Sequence, residues 1–186
     1  METNGIQAGL RKILLQEGAS AFGYAEISSL PAEIRYGLNY AVSIVTALDA
    51  AIVGRIGGGP DHAYYGEYRR ANTLLARLGR HGARFLEEHG YTAMPLPPTG
   101  EGFDHHTLSI ALPHKTVATR AGIGWIGKSA LLITEQYGAS IRLSTILTDA
   151  VLETAAPVNV SRCGDCAACV KKCPGRRSWA ATGRPA

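Results

Sequence analysis

Cysteine is missing from the first 162 residues of this 186-residue chain. That excludes a secreted scaffold stapled by disulfides spread along its length. No stretch approaches the ~18 uninterrupted apolar residues of a membrane span. The opening METNGIQAGLRKILLQEG also lacks the apolar core and small-residue cleavage site of a signal peptide. A cytoplasmic protein without a membrane span is the expectation. Repeats and low-complexity tracts are absent as well. Acidic residues nearly vanish at the end. Residues 161–186 hold Asp165 alone against Arg162, Lys171, Lys172, Arg176, Arg177 and Arg184, a local charge of +5 in a chain of net charge +4. This basic segment is a candidate contact for a polyanion such as RNA, with a solvated face or charge offset for an anionic cluster as the plainer readings.

What is present describes a folded protein. Hydrophobic residues make up 46% and charged residues 18%, ordinary for a globular chain long enough to bury a core. Ile6, Leu10, Ile13 and Leu14 recur at helical spacing, so residues 4–17 are expected to be helical, with Gly18 as the stop. Residues 62–88 carry Tyr64, Tyr68, Ala71, Leu75, Leu78, Gly82 and Phe85 at steps of four and three, which predicts a long helix with one core-facing stripe. Strands are expected at Ala21–Ile27, Ala41–Leu48, Tyr91–Leu96, Leu131–Thr134 and Ile141–Leu147. A short helix is expected at His114–Arg120, and loops at Gly54–Pro60 and Pro97–His106. The fold class is α/β or α+β, a mixed sheet flanked by helices. A composition shift near residue 155 divides the chain into residues 1–155, an α/β domain, and residues 156–186, a cysteine segment.

That segment reads CGDCAACVKKCP over residues 163–174. The spacing C-x2-C-x2-C-x3-C-P is that of bacterial ferredoxins, and Cys163, Cys166, Cys169 and Cys173 are the expected ligands of a [4Fe–4S] cluster. Thiolates three residues apart can all point inward from one tight bend. Gly164, Ala167 and Ala168 leave room for inorganic sulfides and for backbone N–H groups to approach them. Zinc is the rival, but its four-cysteine sites usually pair two knuckles a dozen or more residues apart. In two-cluster ferredoxins the cysteine before proline serves the other cluster, and this chain has no second cysteine set to complete one. A single cluster, closed by Cys173 or by a fourth ligand from elsewhere, or a truncated form of a longer protein whose missing end carried the second set, is therefore expected.

Residues 121–129, AGIGWIGKS, match two phosphate-binding patterns through Gly122, Gly124, Gly127, Lys128 and Ser129. Both patterns need a buried strand before the loop and a helix after it. HKTVATR is too polar for such a strand, ALLIT is short and β-prone, and Trp125 is bulky for a phosphate cradle. A structural turn, or a backbone cradle for a different cofactor, fits better.

The stretches HKTVATRAGIGWIGKSALLIT, YGASIRLSTILTD and CGDCAACVKKCP together resemble the epoxyqueuosine reductase family and its relatives. LPAEIRYGLNYAVSI and LEEHGYTAMPLP resemble the N-terminal half of that family. The resemblance implies a cobalamin-binding α/β domain of the flavin-reductase-like and reductive dehalogenase group, followed by a ferredoxin-like module with two clusters. It implies reductive removal of the epoxide oxygen of epoxyqueuosine in tRNA, with an electron donor protein as partner. Gly122, Gly124, Trp125, Gly127 and Lys128 would lie near the corrin and the proximal cluster. The family places a catalytic acid in Asp-[ST]-x-Pro before the glycine loop, where HTLSIALPHK has no Asp. Asp104, His105, His106 and His114 are the candidate proton donors, each with a plainer role as a loop or capping residue. Three functions follow as expectations: a corrinoid-linked iron–sulfur reductase, an electron-transfer protein without a substrate of its own, and an ATPase using Lys128.

Overall fold

The computed structural model describes residues 3–98, 106 and 110–173. Its first helix, α1 (Thr3–Gln16), buries Ile6, Leu10 and Leu14 on one stripe. It ends where the sequence suggested. Gly18 takes φ +98°, its N–H bonds the Leu15 carbonyl, and the N–H of Ala19 bonds that of Leu14. This is a Schellman stop, which favours a residue without Cβ. The long helix α3 (His62–Glu88) closes in the same way around Gly90 at φ +87° and opens on Asp61, whose carboxylate accepts the Tyr64 N–H at 2.8 Å. Between them a four-residue helix, α2 (Ala50–Val53), is capped by Asp49, and a short 3-10 turn (Ile56–Gly58) interrupts the expected loop.

Four strands form the main sheet: β1 (Ala21–Glu26), β2 (Tyr40–Ala47), β3 (Ala93–Leu96) and β6 (Ile141–Thr148), in the order β1-β2-β6-β3. Every strand pairing among the described residues is antiparallel, which corrects the expected mixed sheet. The reason lies in one insertion. β2 and β3 run in the same direction, joined by α3, but β6 enters between them running the other way, so no parallel pair forms. Pro95 is tolerated because β3 is an edge strand.

Helices cover both faces, so Ala41–Thr46 is fully buried, Ser43 and Thr46 included. On one face α1 and α3 pack Leu10, Leu14, Leu75, Leu78 and Leu86 against Val42, Ile44 and Ile146. The stripe predicted for α3 is core in its middle, whereas Tyr64, Tyr68 and Phe85 are half-buried. On the other face α4 (His114–Arg120) packs Val117 and Ala121 against Ala25, Ala41 and Leu147. It sits close because a Cβ on Gly23 would lie 2.6 Å from the Ala121 carbonyl oxygen. A small hairpin, β4 (Trp125–Ile126) with β5 (Leu132–Ile133), follows α4. Among the described residues no helix is long and apolar enough to cross a membrane.

Glu67 locks α3 to the end of β2. Its buried carboxylate accepts the Asp49 N–H at 2.8 Å and a two-pronged bond from Arg70 at 2.6 and 2.7 Å. Arg70 holds this carboxyl below its ordinary range despite burial. Glu67→Ala is expected to lower stability by about 1–3 kcal/mol, because the Asp49 amide loses its acceptor. Gly66→Ala, with open space around the new methyl, should instead raise stability by about 0.5–1 kcal/mol. Urea unfolding of the two variants reads both.

Candidate metal centre

After β6 the chain runs without regular structure to the cysteines, and two contacts fix its course. The Gln7 side-chain amide exchanges two hydrogen bonds with the backbone of Glu153, at 2.8 and 3.2 Å. The Val158 N–H then bonds the Thr119 carbonyl at 2.8 Å, on α4. The cysteine bend follows. The Cys166 N–H bonds the Cys163 carbonyl at 3.0 Å, with Gly164 at φ +49°, a left-handed position that suits glycine. A short helix, α5 (Ala168–Lys172), carries Cys169, and Cys173 caps it. All four thiols are free, Cys166 is exposed and the other three are half-buried. Among the described residues no three His, Cys, Asp or Glu side chains converge as ligands of one ion. A cubane binds each cysteine through a different iron, so it asks for a wider ring of sulfurs than a zinc tetrahedron does.

The glycine loop lies directly against this bend. Each of its glycines permits one close approach. A Cβ on Gly122 would meet the Ala155 side chain at 2.9 Å, one on Gly124 the Ile133 carbonyl oxygen at 2.1 Å, and one on Gly127 the Ile133 side chain at 2.7 Å, with Cys163 Sγ at 3.5 Å. Lys128 reaches across: its Nζ donates to the carbonyls of Gly164 at 2.7 Å and Cys166 at 2.9 Å. The Ser161 hydroxyl and then the Lys128 backbone N–H bond the Cys163 sulfur, and together they hold that thiol below its usual range against partial burial. Trp125 and the Lys128 charge add to this. The buried Trp125 Nε1 faces Cys163 but falls short of regular hydrogen-bond geometry.

These contacts remove the phosphate-binding readings. A seven-residue helix precedes the loop where a strand is required, a two-residue strand lies within it, and Lys128 is engaged with backbone carbonyls. A cavity of about 470 Å³ does open beside the loop, lined by Gly122–Trp125, Thr134–Tyr137, Val158 and Arg162. Arg162 lies over the Trp125 ring at 5.7 Å and pairs with Glu135. Sequence reasoning counted Arg162 only as part of a basic patch and passed over Ser161 and Glu135. Nothing local marks Glu135 or Arg162, because they pair across 27 residues of sequence, whereas Ser161 stands two residues from the sulfur it bonds.

The candidate proton donors are scattered. Asp104 and His105 lie outside the described residues, and His106 is exposed. His114 is built into the fold: Nδ1 lies 2.9 Å from the Thr145 hydroxyl and Nε2 2.8 Å from the Pro97 carbonyl. A carbonyl only accepts, so Nε2 carries the proton and Nδ1 accepts from Thr145. Burial, with Arg142 adding, keeps the ring's pKa below the ordinary imidazole value. The unfolded ring takes up its proton near pH 6.5, so the folded chain gains from neutral His114 above about 6.5 and loses that gain as pH falls toward the lower folded value. His114→Gln should therefore flatten the fall in urea midpoint between about pH 7 and 5. Gly124→Ala should cost about 1–3 kcal/mol, because the obstructing atom is backbone and cannot turn aside. Urea titration of the variants at several pH values reads both.

No family model matches the chain. It is 30% identical over 138 residues to an epoxyqueuosine reductase of Synechococcus sp. strain CC9605, an alignment covering 74% of this chain and 37% of that protein. Over 122 residues it is 36% identical to the epoxyqueuosine reductase of Aliivibrio fischeri strain ES114, covering 62% of this chain and 29% of that protein. The chain thus spans well under half the length of the curated relatives it matches. A crystal structure of epoxyqueuosine reductase with an epoxyqueuosine-modified tRNA-Tyr stem loop aligns with a TM-score of 0.68 at 18% identity, over 93% of this chain and 52% of that one. A reductive dehalogenase structure, whose authors draw from it a mechanism for B12-dependent dehalogenation, aligns at 0.70 and 18%, over 90% and 25%. At such identities the shared property is the fold, an antiparallel sheet between helices. Taken with the closer sequence matches, it makes this chain a partial-length relative of the epoxyqueuosine reductases.

Proposed function

We propose that this chain is an iron–sulfur oxidoreductase of the epoxyqueuosine reductase kind. In this reading Cys163, Cys166, Cys169 and Cys173 hold a [4Fe–4S] cluster on a ferredoxin-like segment, residues 156–186, and residues 1–155 form a body that carries a corrinoid-type cofactor. A modified tRNA base is the substrate and an electron donor protein the source of electrons. When bound, the two groups supply one-electron chemistry that side chains lack.

The observation that carries the reading is the union of two motifs. The ferredoxin-spaced cysteines and the AGIGWIGK loop are far apart in sequence, yet Lys128 bonds two carbonyls of the cysteine bend and its N–H bonds Cys163. The donor set suits a cluster, since Gly164, Ala167 and Ala168 keep bulk away from the sulfurs. The cavity beside Trp125 is smaller than a corrin with its side chains, so the described residues would offer that ring one wall. Gly122–Trp125 would shape it, and the Arg162–Glu135 pair would close one side.

Removing an epoxide oxygen to leave an alkene takes two electrons and two protons and releases water. His114, neutral and bonded through both nitrogens, is a structural residue in this account. Proton donation falls to Asp104, to His105 or to solvent. The basic residues near the cysteines, Lys171 and Lys172 among them, would meet tRNA phosphate.

Anaerobic reconstitution with iron and sulfide should give about four irons per chain and a paramagnetic signal on reduction. Cys169→Ser should lose most of that iron. The reconstituted chain should retain cobalamin on a sizing column and, with a chemical reductant, convert an epoxyqueuosine stem loop to a product lighter by one oxygen. Zinc bound in place of iron would overturn the reading. Iron without cobalamin retention would leave an electron carrier with no substrate of its own.

A further inference from the structure

We infer that Lys128 is the positioning residue of the cluster, aiming the amides of Asp165 and Ala167 and raising the ease with which the cluster accepts an electron. The inference rests on the cluster reading above and goes past it, since that reading assigns the ligands and gives Lys128 no effect on the cluster's potential.

The argument starts with peptide geometry. Lys128 Nζ holds two alternate carbonyls of the bend, those of Gly164 and Cys166. In a planar trans peptide the C=O and the following N–H point in opposite directions. Fixing these carbonyls on Lys128 therefore turns the N–H groups of Asp165 and Ala167 away from it. Neither amide is paired with an acceptor among the described residues. Two donors with no partner, in a bend of thiolates, are what an anionic cluster's sulfurs would accept from.

Charge acts in the same direction. The Lys128 ammonium is held beside the bend at two points, and its own backbone N–H bonds the Cys163 sulfur. Gly127 lets the loop come this close, because a Cβ there would crowd Ile133. A reduced cluster carries one more negative charge than the oxidised form, so a fixed cation and two aimed amides favour reduction. The glycine loop, which mimics a phosphate site in sequence, thus uses its lysine on the protein's own backbone.

The test compares the anaerobically reconstituted 186-residue chain with Lys128→Gln and Lys128→Arg, in redox titrations followed by electron paramagnetic resonance. Lys128→Gln should keep its iron and lower the reduced-to-oxidised ratio at fixed potential about tenfold, equal to about 59 mV for one electron. Lys128→Arg should restore most of it. An unchanged ratio in Lys128→Gln, with wild-type iron content, overturns the inference and leaves the cluster reading standing. Absence of iron in the wild-type chain removes the cluster reading and this inference with it. Should Lys128→Gln fail to hold its cluster, amide exchange on the metal-free proteins decides. Faster exchange at Cys166 with α3 unchanged supports the tether, and equal exchange at Cys166 refutes it.

Discussion

Everything near the cysteines depends on backbone approaching backbone more closely than a side chain would allow. Gly23 admits the end of α4 onto the sheet, Gly122 admits the irregular segment that leads to the cysteines, and Gly124 and Gly127 admit β5. With those gaps closed, Trp125 and Lys128 arrive at the thiols together. The high glycine content is thus concentrated, in part, where three chain segments meet. It is a packing device before it is anything chemical, and the chemistry follows from what the packing brings into contact.

Much of the scaffold was legible beforehand, for identifiable reasons. The helix at His62–Glu88 carries its signals locally, in a stripe of alternating steps, an aspartate at the start and a glycine past the end. Strands β2 and β6 stood out as runs of β-branched and apolar residues. The order of strands was not legible. Insertion of β6 between β2 and β3 depends on which edges meet in space, and no window of sequence contains that information. Helices α2 and α5 and strand β4 are too short to show a period.

The site divided along the same line. The spacing of the cysteines is a local pattern and suggested a chemistry without any knowledge of the fold. The partner of Lys128 is thirty-six residues away and could not be read. The loop's resemblance to phosphate-binding motifs came from a shared need for small residues, and only the surrounding elements separate the two uses. His114 shows the converse. It looked like a candidate acid because histidines near a loop often are, yet its two hydrogen bonds to β6 and to Pro97 make it a rivet between layers.

The reciprocal amide bond between Gln7 and Glu153 has a consequence for the architecture as a whole. Helix α1 grips the segment between β6 and the thiols, so the first helix and the approach to the cysteines are mechanically joined across the domain. Anything that disturbs α1, such as a nick within it, will be transmitted to the cysteine bend without touching a single sulfur.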